Sequence, residues 1–210
     1  IMEDSIMMKK TGILYLITDF SYGIDKIEEA LMAGVDYVQL REKDISSREY
    51  LLRARLIKEL TKKYKVPLII NDRLDIALLS EADGVHLGTD DVPIRDARHI
   101  LGEHAIIGAT ARNEIIAKQA QQDGADYLGS GAWFVTNTKK DAVPMEKDTY
   151  KRILKSVTIP SLAVGGINID NCSVPLECGA DGIAVSAGIM KSTDIKSTIN
   201  IYRDAMKHIK

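Results

Sequence analysis

Short apolar segments alternate with amphipathic segments along nearly the whole chain. Eight segments are apolar on successive residues rather than on every second residue, a pattern typical of parallel strands that are covered on both faces. They span residues 13–18, 36–40, 67–71, 83–87, 105–109, 126–131, 161–166 and 181–186. The segments between them carry apolar residues at helical spacing. The pattern therefore predicts a strand–helix unit that is repeated eight times.

Three of the predicted helices carry local signals. Ser46 and Glu49 form a capping-box pattern before the second helix. Pro175 lies inside the seventh helical segment, so we predict that this helix begins late or kinks there. The C-terminal segment carries a single apolar stripe, made of Ile195, Ile199, Tyr202, Met206 and Ile209.

A short motif precedes every second strand. It consists of Gly or Glu, a small residue and Asp, and it stands before strands two, four, six and eight. We predict that the small residues close the preceding helix and that the Asp begins the next strand. Eight such units predict an α/β fold, a closed (β/α)8 TIM barrel in a single domain over residues 13–210. Residues 1–12 are predicted to be a disordered or added N-terminal extension. An open doubly wound sheet is the alternative, although no GxGxxG motif follows the first strand.

Composition and charge narrow the class of partner. The 210 residues are 45% hydrophobic and 28% charged, and the net charge of -2 gives no long-range attraction to nucleic acid or an anionic membrane. No apolar run approaches the roughly 20 residues that would span a bilayer. Cys172 and Cys178 have no histidine near them in sequence and are predicted to be reduced thiols, not a zinc site or a disulfide. We predict a cytoplasmic protein with small-molecule partners. Whether it forms a homo-oligomer is left open.

Polar residues follow nearly every predicted strand, where barrel enzymes carry their catalytic groups. Read in chain order, they are Gln39, Arg41, Lys43, Asn71, Asp72, His86, Asp90, Asp91, Thr110, the loop 131–142, Gly165, Gly166, Ser186, Ala187 and Gly188. Each has an ordinary explanation as well. The Arg-Glu-Lys run resembles a solvated charge cluster, His86 a core histidine and Gly165-Gly166 a simple turn. Asp90 could favour the start of a helix. Their convergence on one rim supports the functional interpretation.

The residue types at this rim indicate phosphate chemistry. Asp72 and Asp91 are hard oxygen donors that suit Mg²⁺. Arg41, Lys43 and Lys139 add positive charge at the same mouth, as a diphosphate bridged by magnesium requires. The glycines after strand seven and the small residues after strand eight would expose backbone N–H groups to a second phosphate. The sequence therefore predicts two phosphate sites, one of them assisted by a metal.

Seven motifs together resemble the thiamine phosphate synthase family. They are LYLITD, VQLREKD, PLIINDRLDIAL, ADGVHLGTDD, TNTKKDA, AVGGI and GADGIAV, and they span roughly residues 13–190. The resemblance implies a (β/α)8 barrel that joins a hydroxymethylpyrimidine diphosphate to a thiazole phosphate in the presence of Mg²⁺ and releases diphosphate. It also implies a dissociative reaction, in which diphosphate leaves first and the thiazole nitrogen attacks the resulting pyrimidine cation.

The same resemblance implies a role for individual residues. Arg41, Lys43 and Lys139 would be catalytic, and Asp72 and Asp91 would hold the metal. The pyrimidine diphosphate site would comprise Gln39, Leu40, Arg41, Glu42, Lys43, Asn71, Thr110 and Lys139. The thiazole phosphate site would comprise Thr136, Asn137, Thr138, Gly166, Ser186 and Ala187.

This chain departs from the family pattern at several positions, and other functions stay open. Thr89 stands in place of a glutamine, Thr110 in place of a serine, and Ala132 and Val135 in place of prolines. A thiazole tautomerase of the same barrel family would need neither a diphosphate site nor a metal. An inactive phosphate-ligand-binding homologue is a second alternative. A phosphate-binding barrel of another pathway would not explain the acids after strands three and four.

Overall fold

Eight parallel strands close into a barrel in simple chain order, from β1 round to β8 and back to β1. The computed structural model describes residues 9–135 and 144–207. Helices follow the strands and cover the outside of the barrel. The predicted (β/α)8 barrel is confirmed, and the alternative of an open doubly wound sheet is wrong.

The strands match their predicted segments closely. They are β1 (Ile13–Thr18), β2 (Tyr37–Leu40), β3 (Leu68–Asn71), β4 (Gly84–Leu87), β5 (Ile106–Thr110), β6 (Tyr127–Gly131), β7 (Ser161–Val164) and β8 (Gly182–Val185). The largest difference is at β7, which ends two residues before the predicted end. Gly165 and Gly166 both have positive φ angles, so the extended conformation stops there.

Nine α-helices and one 3-10 helix lie in the described residues. The 3-10 helix is Phe20–Tyr22, and the α-helices are α1 (Ile24–Met32), α2 (Ser47–Tyr64), α3 (Leu74–Leu79), α4 (Ile94–Leu101), α5 (Glu114–Gln122), α6 (Lys147–Ser156), α7 (Ser173–Glu177), α8 (Ala187–Met190) and α9 (Ile195–Lys207). The Ser46 hydroxyl caps α2 by accepting from the Glu49 N–H at 3.2 Å. As predicted, α7 begins late, with Pro175 in its first turn, where no helical N–H is needed.

The strands are buried on both faces, which explains their continuous apolar runs. Their outward side chains pack against the helices in the main core, which includes Val38, Ile57 and Ile199. Their inward side chains fill the barrel itself. This inner cluster consists of Ile13, Tyr15, Tyr37, Ile69, Ile106, Tyr127, Leu162 and Ala184. In the C-terminal apolar stripe, Ile195, Ile199 and Tyr202 are buried as predicted, and Ile209 lies outside the described residues.

The repeated motif before every second strand forms the same helix ending four times. Its first residue is Gly34, Glu81, Gly124 or Gly179, and all four have positive φ angles between 55° and 100°. In each case the chain makes the paired hydrogen bonds of a Schellman motif; the Gly34 N–H, for example, donates to Leu31 at 3.1 Å and the Val35 N–H to Ala30 at 3.4 Å. The small residues therefore close the helix, as predicted.

The aspartate of each motif holds two neighbouring strands together, and we call this contact the aspartate clamp. The carboxylate accepts a hydrogen bond from a backbone N–H near the start of the preceding strand. The four clamps are Asp36 to Leu14 at 2.7 Å, Asp83 to Leu68 at 2.7 Å, Asp126 to Ile107 at 2.7 Å and Asp181 to Ser161 at 2.8 Å. All four lie at the amino-terminal end of the barrel, opposite the predicted site.

Three of the clamps also form an ion pair with a cation from a helix. Arg203 of α9 pairs with Asp36 at 2.8 Å, Lys58 of α2 with Asp83 at 2.8 Å and Arg98 of α4 with Asp126 at 2.7 Å. Asp181 has no ion-pair partner among the described residues.

The environment of the fourth clamp explains the difference. In the third motif, a Cβ atom added at Gly124 would lie 3.3 Å from Arg98. In the fourth motif, a Cβ atom added at Gly179 would lie 3.2 Å from Leu154. Leu154 therefore occupies the place that Arg98 has in the third clamp. Burial raises the pKa of Asp181, and the hydrogen bond from Ser161 offsets only part of that rise.

We predict that Asp181→Asn keeps or raises the free energy of unfolding at neutral pH. The native pKa of this carboxyl is raised, so the stability of the unmodified protein falls as pH rises from the ordinary carboxyl pKa through the raised one. An asparagine still accepts the Ser161 N–H and carries no such penalty. Urea unfolding at pH 4 and pH 7 should show that the free energy of unfolding of the variant rises relative to that of the unmodified protein as pH increases.

Asp83→Asn is the matched comparison. It keeps the hydrogen bond to Leu68 but leaves Lys58 without its carboxylate, and should cost about 1 kcal/mol at pH 7. Equal destabilisation by Asp181→Asn and Asp83→Asn would contradict the prediction.

No helix in the described part of the chain is long and apolar enough to cross a membrane. Cys172 and Cys178 are free thiols. The cytoplasmic location and the N-terminal extension stay predictions, and whether the chain forms a homo-oligomer stays open.

Candidate active site

Three of the predicted site residues, together with His86, point into the barrel from neighbouring strands. Gln39, Asn71, His86 and Thr110 share the inward alternation of Tyr15 and Tyr127 but lie nearer the carboxyl ends of their strands. The strand register places Asn71 directly beside His86. The pocket of the barrel is therefore lined by polar groups that rest on a floor of tyrosines.

Three charged residues lie together at the mouth above β2, β3 and β4, and we call them the carboxylate–lysine cluster. The Lys43 Nζ atom is 2.6 Å from Asp72 Oδ2. Asp91 interacts with Asp72 and accepts a hydrogen bond from the Gly88 N–H at 2.7 Å. Asp72 has a φ angle of 63°, so the chain turns sharply at the end of β3 and directs this carboxylate towards Lys43.

The two carboxyl groups of the cluster have pKa shifts of opposite sign. Burial by itself would raise the pKa of Asp72, but the Lys43 ammonium, the contact with Asp91 and the charge of Arg41 together lower it. The pKa of Asp91 is raised, first by burial and then by the negative charge of Asp72. Asp72 therefore loses its proton more readily than an ordinary aspartate, and Asp91 binds a proton more readily.

The donor set of the cluster fits magnesium. Within residues 9–135 and 144–207, no group of three or more His, Cys, Asp or Glu side chains is arranged to hold a metal ion. Magnesium is commonly bound through one or two carboxylates and completes its shell with water and substrate phosphates. Two carboxylates that repel each other suit a small hard cation of this kind. Zinc sites are usually built from nitrogen and sulfur ligands, and the three residues of this cluster offer none for a protein-bound zinc ion.

Two residues of the predicted pyrimidine diphosphate site have side chains with other partners. Leu40 lies in the main core, where its carbonyl accepts a hydrogen bond from the Tyr50 hydroxyl at 2.7 Å. The Glu42 carboxylate accepts from the Phe20 N–H at 2.9 Å and pairs with Arg53 at 3.0 Å. The Leu40 side chain is thus buried in the core, and the Glu42 carboxylate is engaged by Phe20 and Arg53.

Arg41 and Lys43 lie on either side of Glu42 at the end of β2. The Arg41 side chain is partly exposed, and its backbone N–H donates to the Thr18 carbonyl at 2.8 Å. Lys43 is about half exposed, at 49%. Both side chains are therefore accessible to solvent at the mouth, and their contact with a ligand stays a prediction.

Gly165 and Gly166 have a packing role that the sequence does not reveal. A Cβ atom added at Gly165 would lie 2.7 Å from Ala132 Cβ, and one added at Gly166 would lie 2.7 Å from Phe134 Cβ. The loop after β6 is bonded to the same segment, since the Phe134 N–H donates to the Gly165 carbonyl at 3.0 Å. Glycine is required here whether or not a phosphate binds.

The remaining predicted residues divide into two groups. Ser186 precedes the short helix α8, and its carbonyl accepts from the N–H groups of Ile189 and Met190 at 2.9 Å each, while Ala187 is exposed. Asp90 is exposed before α4. Thr136, Asn137, Thr138 and Lys139 lie outside the described residues, and their roles stay predictions.

Two tyrosines beneath the pocket are not recognised by the sequence analysis. Tyr15 and Tyr127 are each 1% exposed, and their hydroxyl oxygens are 2.7 Å apart. Gln39 Nε2 donates to Tyr15 at 3.0 Å, and His86 Nδ1 lies 3.1 Å from the Tyr127 hydroxyl. Tyrosine at an inward position of an apolar strand was the available signal, because a buried hydroxyl needs a partner.

The chain matches the family model described as thiamine monophosphate synthase over residues 14–189. It belongs to that family. The match runs from the second residue of β1 through the end of β8 and includes α1 to α7. Members of the family are transferases of thiamine biosynthesis, and this chain is one of them.

Individual relatives support the assignment over nearly their whole length. A thiamine-phosphate synthase of Methanobrevibacter smithii is 48% identical over 187 residues, which are 87% of this chain and 90% of the relative. One of Fusobacterium nucleatum is 47% identical over 191 residues, which are 89% and 93% of the two chains. A solved structure of thiamine phosphate pyrophosphorylase from Pyrococcus furiosus superposes with a TM-score of 0.84 at 36% identity, covering 94% of this chain and 96% of that one.

More distant structures share the fold alone. A 3-hexulose-6-phosphate synthase superposes with a TM-score of 0.69 at 12% identity, covering 92% of this chain and 100% of that one. This likeness confirms the barrel architecture and carries no argument about substrate.

Proposed function

We propose that this chain is a thiamine phosphate synthase that condenses 4-amino-2-methyl-5-(diphosphooxymethyl)pyrimidine with a thiazole phosphate. The products are thiamine phosphate and diphosphate. The observation that carries the proposal is the carboxylate–lysine cluster, where Lys43 and Asp72 are 2.6 Å apart at the mouth of the barrel. Fixed charges of both signs at the strand ends are what a diphosphate with its cation would need.

In this proposal the diphosphate lies at the carboxyl ends of β2 to β4. Arg41 and Lys43 contribute positive charge to the departing oxygens. Asp72 and Asp91 would hold Mg²⁺, which when bound supplies further positive charge to the leaving group. Lys139 is proposed as the third cation of this site.

The pyrimidine ring would enter the barrel below the diphosphate. Gln39 and Asn71 are 3% and 7% exposed, so they can orient a ring by hydrogen bonds in a nearly dry site. Thr110 would contact the ring from the opposite side. Positioning of this kind limits access of water to the reacting carbon.

The proposed reaction is dissociative. The bond between the methylene carbon and the diphosphate oxygen breaks, and its electron pair leaves with diphosphate. The resulting cation is stabilised by the ring amino group, and the thiazole nitrogen then donates its lone pair to form the new C–N bond. No proton has to be removed by a side chain, so the protein binds, orients and shields the reactants.

The thiazole phosphate is proposed to bind across the barrel mouth, after strands six to eight. Gly166, Ser186 and Ala187 would meet it through backbone groups, since Ala187 is exposed beside the start of α8. Thr136, Asn137 and Thr138 would complete the contact.

The cluster also separates this proposal from its rivals. A thiazole tautomerase has no diphosphate to bind, so it would have no use for Lys43, Asp72 and Asp91 in one group. An inactive homologue would bind the phosphate ligands without forming product.

The deciding experiment is an assay with both substrates, run with Mg²⁺ and with a chelator. We expect thiamine phosphate and diphosphate in equal amounts with the metal and a large loss of rate without it. Product at the same rate in chelator would refute the metal role. Binding of both substrates without product would indicate an inactive homologue, and failure to bind the pyrimidine diphosphate would favour the tautomerase.

A further inference from the structure

Five side chains form a continuous chain of hydrogen bonds inside the barrel, and we call it the barrel relay. In order, its members are Gln39, Tyr15, Tyr127, His86 and Thr110. We propose that the relay fixes which hydrogen-bonding group Gln39 turns towards the pyrimidine. Tyr15 and Tyr127 are then positioning residues that make the site select an amino group on the ring. This inference rests on the proposed function, because it takes Gln39 and Thr110 as part of the pyrimidine site.

The relay crosses the barrel through four hydrogen-bonded contacts. Gln39 Nε2 lies 3.0 Å from the Tyr15 hydroxyl, which lies 2.7 Å from the Tyr127 hydroxyl. His86 Nδ1 lies 3.1 Å from that second hydroxyl, and His86 Nε2 lies 3.1 Å from Thr110 Oγ1. Both ends of the relay are predicted to bind the pyrimidine, so the buried tyrosines connect two contacts of one ligand.

The proposed relay runs in one direction, from Gln39 to Thr110. Gln39 donates to Tyr15. Either tyrosine can be the donor in the next contact, and in the proposed direction Tyr15 uses its single hydroxyl hydrogen to donate to Tyr127. Tyr127 in turn donates to His86 Nδ1, which can accept only when it carries no proton. The proton of the neutral imidazole is then on Nε2, which donates to Thr110. Each of the four contacts then joins one donor to one acceptor.

The direction decides what the pocket offers. Since the Gln39 amide nitrogen faces Tyr15, its carbonyl oxygen faces away from the tyrosine and is available as an acceptor. An amino group on a pyrimidine is a donor and matches it. The reversed direction would turn the Gln39 NH₂ group to the pocket, where it would suit an oxo group and oppose an amino group.

Two further observations support the relay. Burial raises the pKa of both Tyr15 and Tyr127, so both hydroxyls keep the hydrogen that the relay needs. Strands β5 and β6 also leave room for it. A Cβ atom at Gly108 would overlap the Tyr127 ring and lie 2.5 Å from His86 Nδ1, and one at Gly129 would lie 2.9 Å from His86 Cε1.

The competing explanation is that the tyrosines only fill the barrel. Tyr15 stacks on Tyr37 with ring centroids 5.9 Å apart, and it lies 5.6 Å from Tyr127 by the same measure. Under this explanation phenylalanine would serve as well as tyrosine. Tyr37 offers a matched control, because its hydroxyl accepts from the Lys9 N–H at 2.9 Å and takes no part in the relay.

The test compares two ligands in four proteins. The ligands are the aminopyrimidine diphosphate and the analogue with an oxo group in place of the amino group. The proteins are the unmodified chain, Tyr15→Phe, Tyr127→Phe and Tyr37→Phe. The ratio of the two dissociation constants, measured by calorimetry without thiazole phosphate, reports recognition of the ring apart from any effect of the amino group on bond cleavage. Inorganic diphosphate is the probe for the charged mouth.

We expect the unmodified chain and Tyr37→Phe to prefer the amino ligand by the same ratio. Tyr15→Phe and Tyr127→Phe should reduce that ratio about tenfold, with the affinity for inorganic diphosphate unchanged. An unchanged ratio in both variants would overturn the relay and leave the proposed function intact, as would equal losses in all three variants. Failure of the unmodified chain to bind either pyrimidine would refute the proposed function and the relay together.

Discussion

Asp72→Asn is expected to lower the rate of thiamine phosphate formation about 10²–10³-fold, the usual loss when one electrostatic contact to a developing charge is removed. The pKa of Asp72 is lowered by Lys43, Asp91 and Arg41 against the effect of burial, so this carboxyl group loses its proton more readily than Asp91 does. Asparagine keeps the shape of the side chain and removes the charge. Metal affinity should fall in parallel with the rate.

The choice of asparagine follows from the backbone. Asp72 has a φ angle of 63°, a conformation that asparagine tolerates and that costs alanine about 1 kcal/mol. Asp72→Ala would therefore mix a loss of stability with a loss of chemistry.

The measurement is a steady-state assay across a range of Mg²⁺ concentrations, with circular dichroism to verify the fold. Asp75→Asn is the matched control, because Asp75 lies three residues further along on the surface and bonds Arg73 Nε at 2.8 Å. It should leave the rate within about twofold. A normal rate in Asp72→Asn would refute the role assigned to this carboxylate.

Gly84→Ala is expected to reduce the free energy of unfolding by about 3 kcal/mol or more, at the upper end of the cost of overpacking a core. A Cβ atom at Gly84 would overlap the carbonyl group of Ile106 on the next strand and lie 2.9 Å from Ile106 Cβ. The backbone of a closed barrel cannot move aside locally, because each strand is bonded on both edges. The strands β4 and β5 would have to separate.

Gly34→Ala shows how much of that cost comes from crowding. Gly34 has a φ angle of 94° and no atom within 4 Å of an added Cβ, so alanine there meets backbone strain alone, about 1–2 kcal/mol. Urea unfolding of both variants gives the comparison. A loss at Gly84 no larger than the loss at Gly34 would show that the barrel adjusts to the added methyl group.

The barrel was predictable from the sequence because its strand segments and its helical segments carry clearly different patterns of apolar residues. Continuous apolar runs such as 67–71 fit strands that are covered on both faces, and the motif before every second strand marks where the helix ends. Only part of the role of this motif could be predicted. The closing turn follows from glycine, but the clamp from Asp83 to the Leu68 N–H depends on a strand that lies earlier in the chain.

The positions of the candidate site residues were predictable where they follow from the ends of the strands. They were less predictable where they depend on packing between side chains. Lys43, Asp72 and Asp91 come together as expected. Glu42 was predicted to belong to the pyrimidine diphosphate site, yet its side chain pairs with Arg53 instead. The relay stayed hidden, because Tyr127 resembles any apolar core residue until its neighbours on other strands are known.

The aspartate clamps divide the barrel into four quarters, each made of two successive strands and the helices that follow them. The clamps join β1 to β2, β3 to β4, β5 to β6 and β7 to β8, so none crosses from one quarter to the next. The ion pairs do cross, since Lys58 and Arg98 reach forward from the quarter before. A chain cut before β3 or β5 would yield two fragments with every clamp intact, held to each other partly by charge. Their reassembly would therefore weaken with added salt.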